Sequence, residues 1–205
     1  MIRVIFIMLA LMVSFGGWAQ ETADPRDPHQ IIEDATSHLL ETINSRRQEF
    51  EANPALLQVL VNDDLLPLID AEYSARLILG RAGRGVGAEQ LSAFSRAMSE
   101  ILLTRYADGL LNFKSDEQVE VLPMKGKNSD KLTRVRTRIK LENGGFVPID
   151  YAFHKTENGW KAFDVTVEGI SYVITLRNQI GPRVTADGIE KVTADIREGN
   201  IKLEG

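Results

Sequence analysis

The spacing of apolar residues along the chain is helical at first, then alternating, then helical again. From Pro28 onward, Ile31, Ile32, Ala35, Leu39 and Ile43 recur at helical spacing. This predicts an amphipathic helix opened by the Asp27-Pro28 start signal. Asn53-Pro54 repeats that signal before Leu56, Leu57, Leu60 and Val61, and Leu65, Leu66 and Leu68 come next. Pro67 is set to break or kink this stretch. Asp70 begins a third helix, with Tyr73, Leu77 and Ile78 on one face and Gly80 as its stop. Arg81–Gly87 reads R-A-G-R-G-V-G. It lacks the Gly-Lys-Ser/Thr of a phosphate loop, and a helix rather than a strand precedes it, so it reads as a flexible linker and candidate hinge. A longer helix runs from Ala88 to about Leu111, with Leu91, Phe94, Met98, Ile101, Leu102 and Tyr106 in a wide apolar stripe.

After Asn112 the period becomes two. Gln118–Leu122 reads as a first strand. Leu132–Leu141 is the clearest, with Thr133, Val135, Thr137, Ile139 and Leu141 on one face and Arg134, Arg136, Arg138 and Lys140 on the other. Asn-Gly turns at Asn143-Gly144 and Asn158-Gly159 bound the next strand. Between them Phe146–His154 carries Val147, Ile149, Tyr151 and Phe153 on one face. After them Trp160–Glu168 alternates through Phe163, Val165 and Val167, and Gly169 ends it. Ile170–Ile180 and Ile189–Arg197 are helical again. Helices, a meander and more helices make an α+β fold: an antiparallel four-stranded meander sheet covered on one face by helices.

The first residues belong to a different class. Arg3 precedes the uncharged run Val4–Val13, and Gly17 and Ala19 give a small-x-small site. That is the layout of a secretory signal peptide over residues 1–19, too short to span a bilayer as an anchor, which takes ~20 apolar residues. Cleavage after Ala19 would leave a single domain, 20–205. It would also remove Arg3 and no acid, moving the net charge from −5 to −6. The expected product is exported, to the periplasm in a Gram-negative cell. The absence of cysteine excludes a disulfide scaffold, a Cys-liganded metal, a thiol nucleophile and a lipid-anchored lipoprotein. The acidic balance argues against nucleic acid as a partner, and the basic stripe on the second strand reads as a solvated sheet face.

Little in the chain looks catalytic. His29, His38 and His154 do not fall at metal-pair spacing, and no H-E-x-x-H, G-x-S-x-G or S-x-x-K occurs. No enzyme activity, metal or cofactor is expected. The apolar faces, with aromatics at Phe94, Tyr106, Tyr151, Phe153, Phe163 and Tyr172, read either as a closed core or as the wall of a cavity between sheet and helices.

Three stretches resemble the MlaC-like family of periplasmic phospholipid-binding proteins, also called toluene-tolerance proteins. The first is W-K-A-F-D-V-T-V-E-G-I-S-Y-V from Trp160 to Val173, then Arg177 and Gln179. The second is L-L-P-L-I-D from Leu65 with Arg76-Leu77-Ile78-Leu79-Gly80. The third is Glu89-Gln90 with Phe94 and Leu102 to Tyr106. The resemblance spans about Asp27 to Leu203. It departs at Arg81-Ala82-Gly83, where the family often has Trp, at Thr175-Leu176 in place of Asn-Tyr, and at Ile180 in place of Phe.

This resemblance implies a soluble, monomeric carrier with phospholipid as cargo. It would shuttle lipid between an outer-membrane lipoprotein complex and an inner-membrane ABC transporter, maintaining outer-membrane lipid asymmetry. The alternatives are a periplasmic binding module for another hydrophobic small molecule, or an enzyme on a related scaffold with an acid–base pair in the cavity. The expected lipid-binding residues on the strands are Val135, Thr137, Ile139, Ile149, Tyr151, Phe153, Phe163, Val165 and Val167. On the helices they are Leu77, Phe94, Met98, Leu102, Tyr106, Tyr172, Val173 and Leu176, with Arg177 as a candidate for the lipid phosphate. Asp164 and Glu168 are expected to be structural, facing away from the cavity and pairing with Arg76 or Arg177.

Overall fold

Asp27 opens the first helix by a reciprocal cap. Its carboxylate accepts the Gln30 N–H at 2.9 Å, the Gln30 side-chain oxygen accepts the Asp27 N–H at 3.1 Å, and Pro28 occupies the first turn. The computed structural model describes residues 24–107, 110–111, 118–124, 129, 131–201 and 203. The expected leader, 1–19, therefore lies outside the described residues.

Helix α1 spans Pro28–Ser45, α2 Arg47–Ala52 and α3 Ala55–Asp64. Pro67 sits in a short 3-10 turn, Leu66–Leu68, that ends the helical run. Ile69 then lies alongside the sheet, bridging Ala162 in parallel. Helix α4 is Ala71–Leu79 and ends at Gly80, whose φ of +51° favours glycine. Helix α5 is Ala88–Ala107. The segment expected to be a flexible linker is in part a structured 3-10 turn, Gly80–Gly83. It packs so tightly that a Cβ on Gly83 would meet the Leu79 Cβ at 2.8 Å.

The sheet has five antiparallel strands in sequential order: β1 Val119–Val121, β2 Leu132–Lys140, β3 Phe146–Thr156, β4 Gly159–Val167 and β5 Ile170–Ser171. The fifth strand corrects the expected four. Glu168 (φ +51°) and Gly169 (φ +84°) make a two-residue turn that folds Ile170 back onto Val167. Two left-handed residues are what such a tight turn requires. Helix α6 therefore starts at Tyr172, not Ile170, and runs to Asp187. It passes through Pro182, which is exposed together with Asn178, so water can satisfy the carbonyl that the proline leaves free. Helix α7, Ile189–Arg197, closes the order.

Buried apolar side chains form three clusters among the described residues. One lies among α4, α5, α6 and α7, centred on Phe94, Ile180 and Ile196. A second joins α1 to the sheet through Ile31, Ile32, Val135, Phe153 and Ala162. A third joins α1 to α2 and α3 through Leu39, Ile43, Phe50 and Leu57. The space where they approach one another is open, and it is the candidate site.

Candidate functional site: an apolar cavity between sheet and helices

A cavity of about 480 Å³ separates the sheet from the helices. Of its 28 lining residues, 23 are aliphatic or aromatic and one, Asp164, carries a charge. Such a surface rewards an apolar occupant and gives a polar one few partners.

The sheet supplies the floor. Tyr151 and Phe153 of β3 and Ala162, Val165 and Val167 of β4 reach it. The pairing register shifts between Ala152 and Phe153, so Phe153 faces Ala162 while Ala152 faces Asp164. Phe163 is the extra residue of a bulge. The bulge changes the parity of β4, and Phe163, Asp164 and Val165 all reach the cavity wall. The expectation that Asp164 points away is corrected. Its carboxylate accepts the Ser171 hydroxyl at 2.6 Å and the Val173 N–H at 3.0 Å. Ser171 in turn caps α6 through the Ile174 N–H at 3.1 Å. Asp164 thus stabilises a helix N-terminus with its negative charge, and pairs with neither Arg76 nor Arg177.

Burial pushes the Tyr151 phenol above its ordinary range, and a hydrogen bond with the Thr137 hydroxyl partly offsets this. Thr137 also donates to the Ile149 carbonyl at 3.1 Å. The tyrosine therefore presents its ring to the cavity with its hydroxyl already partnered.

Helices supply the other walls. Met98 and Leu102 of α5 and Tyr172, Val173 and Leu176 of α6 line it as expected from sequence. The largest unexpected contribution is from the N-terminal third. Ile31, Ile32, Ala35 and Leu39 of α1 line it, as do Leu65, Leu66, Leu68 and Ile69, then Ala71, Ala75 and Ile78 of α4. The spacing of the α1 residues showed an apolar face, but nothing local says which surface that face covers.

The other expected residues lie elsewhere. Val135 is fully buried under α1, and Thr137 is 1% exposed beneath the sheet's helical layer. Ile139 and Ile149 are half-buried on their strands, outside the cavity lining. Phe94 is fully buried among the helices. Leu77 and Arg177 line a different groove, where the Arg177 Nε donates to the Leu77 carbonyl at 2.6 Å. The side chain of Tyr106 is outside the described residues.

Three acid–imidazole pairs occur among the described residues; His29–Glu33 at 3.3 Å and His38–Asp64 at 3.2 Å lie outside the cavity lining, and the third is the most enclosed. Asp70 and His154 share a hydrogen bond of 3.0 Å, the Tyr73 ring stacks on His154 at 4.2 Å, and the Phe163 ring meets both edge-on. Neither Asp70 nor His154 lines the cavity. The Ser74 hydroxyl on α4 is committed to the Asp70 and Phe163 carbonyls at 2.9 and 2.7 Å. The pair joins α4 to the sheet. Among the described residues no cluster of acidic or histidine side chains could hold a metal ion, and no helix is long and apolar enough to cross a membrane.

Fold and cavity together define a class: an α+β domain whose meander sheet and helical layer enclose an apolar chamber. The chain belongs to the MlaC family, whose model, described as MlaC protein, matches residues 33–198. It is 25% identical over 182 residues to the intermembrane phospholipid transport system binding protein MlaC of Haemophilus influenzae, covering 86% of this chain and 81% of that protein. It is 24% identical over 179 residues to the toluene tolerance protein ttg2D of Pseudomonas putida, covering 87% and 82%. A solved structure of a phospholipid-binding protein from Ralstonia solanacearum, in complex with a phospholipid, shares the fold. Its TM-score is 0.72 at 23% identity, covering 83% of this chain and 99% of that one.

Proposed function

We propose that this chain is a periplasmic phospholipid carrier that holds acyl chains in the cavity between sheet and helices. The observation that carries this reading is the cavity itself, about 480 Å³ with a single charged lining residue whose carboxylate is already bonded to α6. Two relatives support it by name, one a phospholipid transport binding protein and one a toluene tolerance protein. The lipid-binding residues proposed are those of the observed lining, among them Met98, Leu102, Tyr151, Phe153, Phe163 and Val165.

The energetics suit a carrier. Burial is worth ~0.8 kcal/mol per methylene, so a tail of about fifteen methylenes gains roughly 12 kcal/mol over water. Release into water is then negligible. A bilayer is equally apolar, so exchange between bilayer and cavity is nearly balanced and partner docking can set its direction. The cavity falls in the lower half of the ~300–1,000 Å³ range of ligand pockets. One acyl chain suits it as it stands, and a second needs the helices to move away from the sheet.

Under this reading residues 1–19 direct export and 20–205 form the carrier. The partners are an inner-membrane ABC transport complex and an outer-membrane lipoprotein complex, and the cargo is the only bound small molecule. A transfer assay tests it. The mature protein should move a fluorescent phospholipid between donor and acceptor vesicles, and transfer no faster than the protein-free rate contradicts the reading.

A further inference from the structure

The Gly-rich turn after α4 belongs to a second concave surface. This groove, about 560 Å³, shares no lining residue with the apolar cavity. Arg76, Arg81, Arg84 and Arg177 line it, and none of its lining residues is acidic. Of these four exposed cations, Arg177 and Arg76 are held by side-chain bonds. The Arg177 side chain lies against Gly80, with Cδ and Nε 3.5 Å from where a Cβ would stand, and its Nε donates to the Leu77 carbonyl at 2.6 Å. That bond engages one nitrogen of the guanidinium. Gly80 and Gly83 shape the turn that carries Arg81 and Arg84. Arg76 pairs with Glu72 at 3.2 Å, whereas Arg81, Arg84 and Arg177 form no ion pair among the described residues.

Four guanidiniums against one carboxylate is a local excess of positive charge on a chain whose net charge is −5. Like charges gathered on a concave surface repel one another, and a bound anion removes that cost. The guanidinium fork matches the oxygens of a phosphate group bidentately, which a lysine does not.

We propose that this groove is a phosphate-binding site, taking the phosphate either of a phospholipid headgroup at a bilayer surface or of a free phosphomonoester. The proposal is independent of the carrier reading, because the groove and the cavity share no residue.

The test uses the mature chain at low salt. Inorganic phosphate and glycerol 3-phosphate are titrated by calorimetry, and flotation is measured with phosphatidylcholine vesicles with and without phosphatidylglycerol. The double variant R81Q/R84Q is compared with R96Q, an exposed arginine of α5 outside the groove. Expected are salt-sensitive binding of a phosphate probe, roughly tenfold weaker in R81Q/R84Q and unchanged in R96Q. Binding of the soluble phosphates supports a free phosphomonoester as the source, and binding only to phosphatidylglycerol vesicles supports the headgroup. Absence of binding to every probe, or an equal loss in R96Q, overturns the proposal. Circular dichroism checks folding, and R84Q alone, at an exposed position, serves if the double variant does not fold.

Discussion

The Asp70 Oδ2 lies 3.0 Å from the His154 Nε2, and the other oxygen of the same carboxylate caps α4 through the Tyr73 N–H at 2.9 Å. The Asp70 N–H donates to the Ala162 carbonyl at 2.8 Å, so one residue ties α4 to both β3 and β4. Asp70→Ala removes the cap, at about 1 kcal/mol, together with the His154 bond. A drop of several degrees in melting temperature is expected, since ~1 kcal/mol corresponds to roughly 2–4 °C in a chain of this size. In a double-mutant cycle with His154→Ala the two changes should couple by more than about 0.5 kcal/mol. Strict additivity would show that the contact is energetically idle.

The cavity and the closed core respond differently to substitution. Val165 is half-buried and lines the cavity, so Val165→Trp puts an indole where cargo would lie. The variant should fold and carry much less phospholipid. Val135 is fully buried outside the lining. Val135→Ala should cost about 2 kcal/mol, from two methylenes at ~0.8 kcal/mol each and the void they leave, while lipid content stays unchanged. Lipid extraction with thermal melts separates the two. A V165W protein with full lipid content would move the binding site away from this cavity.

That contrast shows what the sequence made legible. Alternation placed β2 at Leu132–Lys140 within one residue of expectation, and helical spacing placed α7 at Ile189–Arg197, because both elements bury one regular face. The bulge at Phe163 was invisible: Phe163, Val165 and Val167 alternate perfectly as letters, yet the extra residue brings Ala162 and Val165 to the same face. The turn at Glu168-Gly169 was hidden for a related reason, since glutamate rarely adopts positive φ. On α6, Leu176 reaches the cavity and Arg177 the arginine groove, a division set by helix rotation that spacing alone does not fix. The role of α1 depends on long-range packing against β2 and Phe153.

Tyr151 gives a pH signature. Its phenol is pushed up in the folded chain, chiefly by burial, so the unfolded state loses its proton first as pH rises. The contribution is complete below the unfolded value near 10 and is lost as pH climbs from there through the folded value. Tyr151→Phe should therefore flatten part of the alkaline fall in stability, measured as melting temperature against pH. In the wild type, phenolate absorbance should include a group that titrates late. Identical alkaline profiles in Y151F and wild type would contradict the shift.

Glu168 holds a left-handed backbone, φ +51°, in the β4–β5 turn. Asparagine tolerates that region better than glutamate, at a saving of up to about 1 kcal/mol. Glu168→Asn should raise the melting temperature by a few degrees without changing lipid content. An unchanged or lower value would mean that the glutamate side chain makes compensating contacts.

Whether the space between sheet and helices holds phospholipid is the question on which the carrier function turns. Native mass spectrometry of the mature protein purified from a Gram-negative periplasm, with lipid extraction of the same sample, tests it most directly. The expected result is a mass shift matching bound phospholipid, lost in Val165→Trp and kept in Val135→Ala. Lipid-free protein in repeated preparations would contradict it.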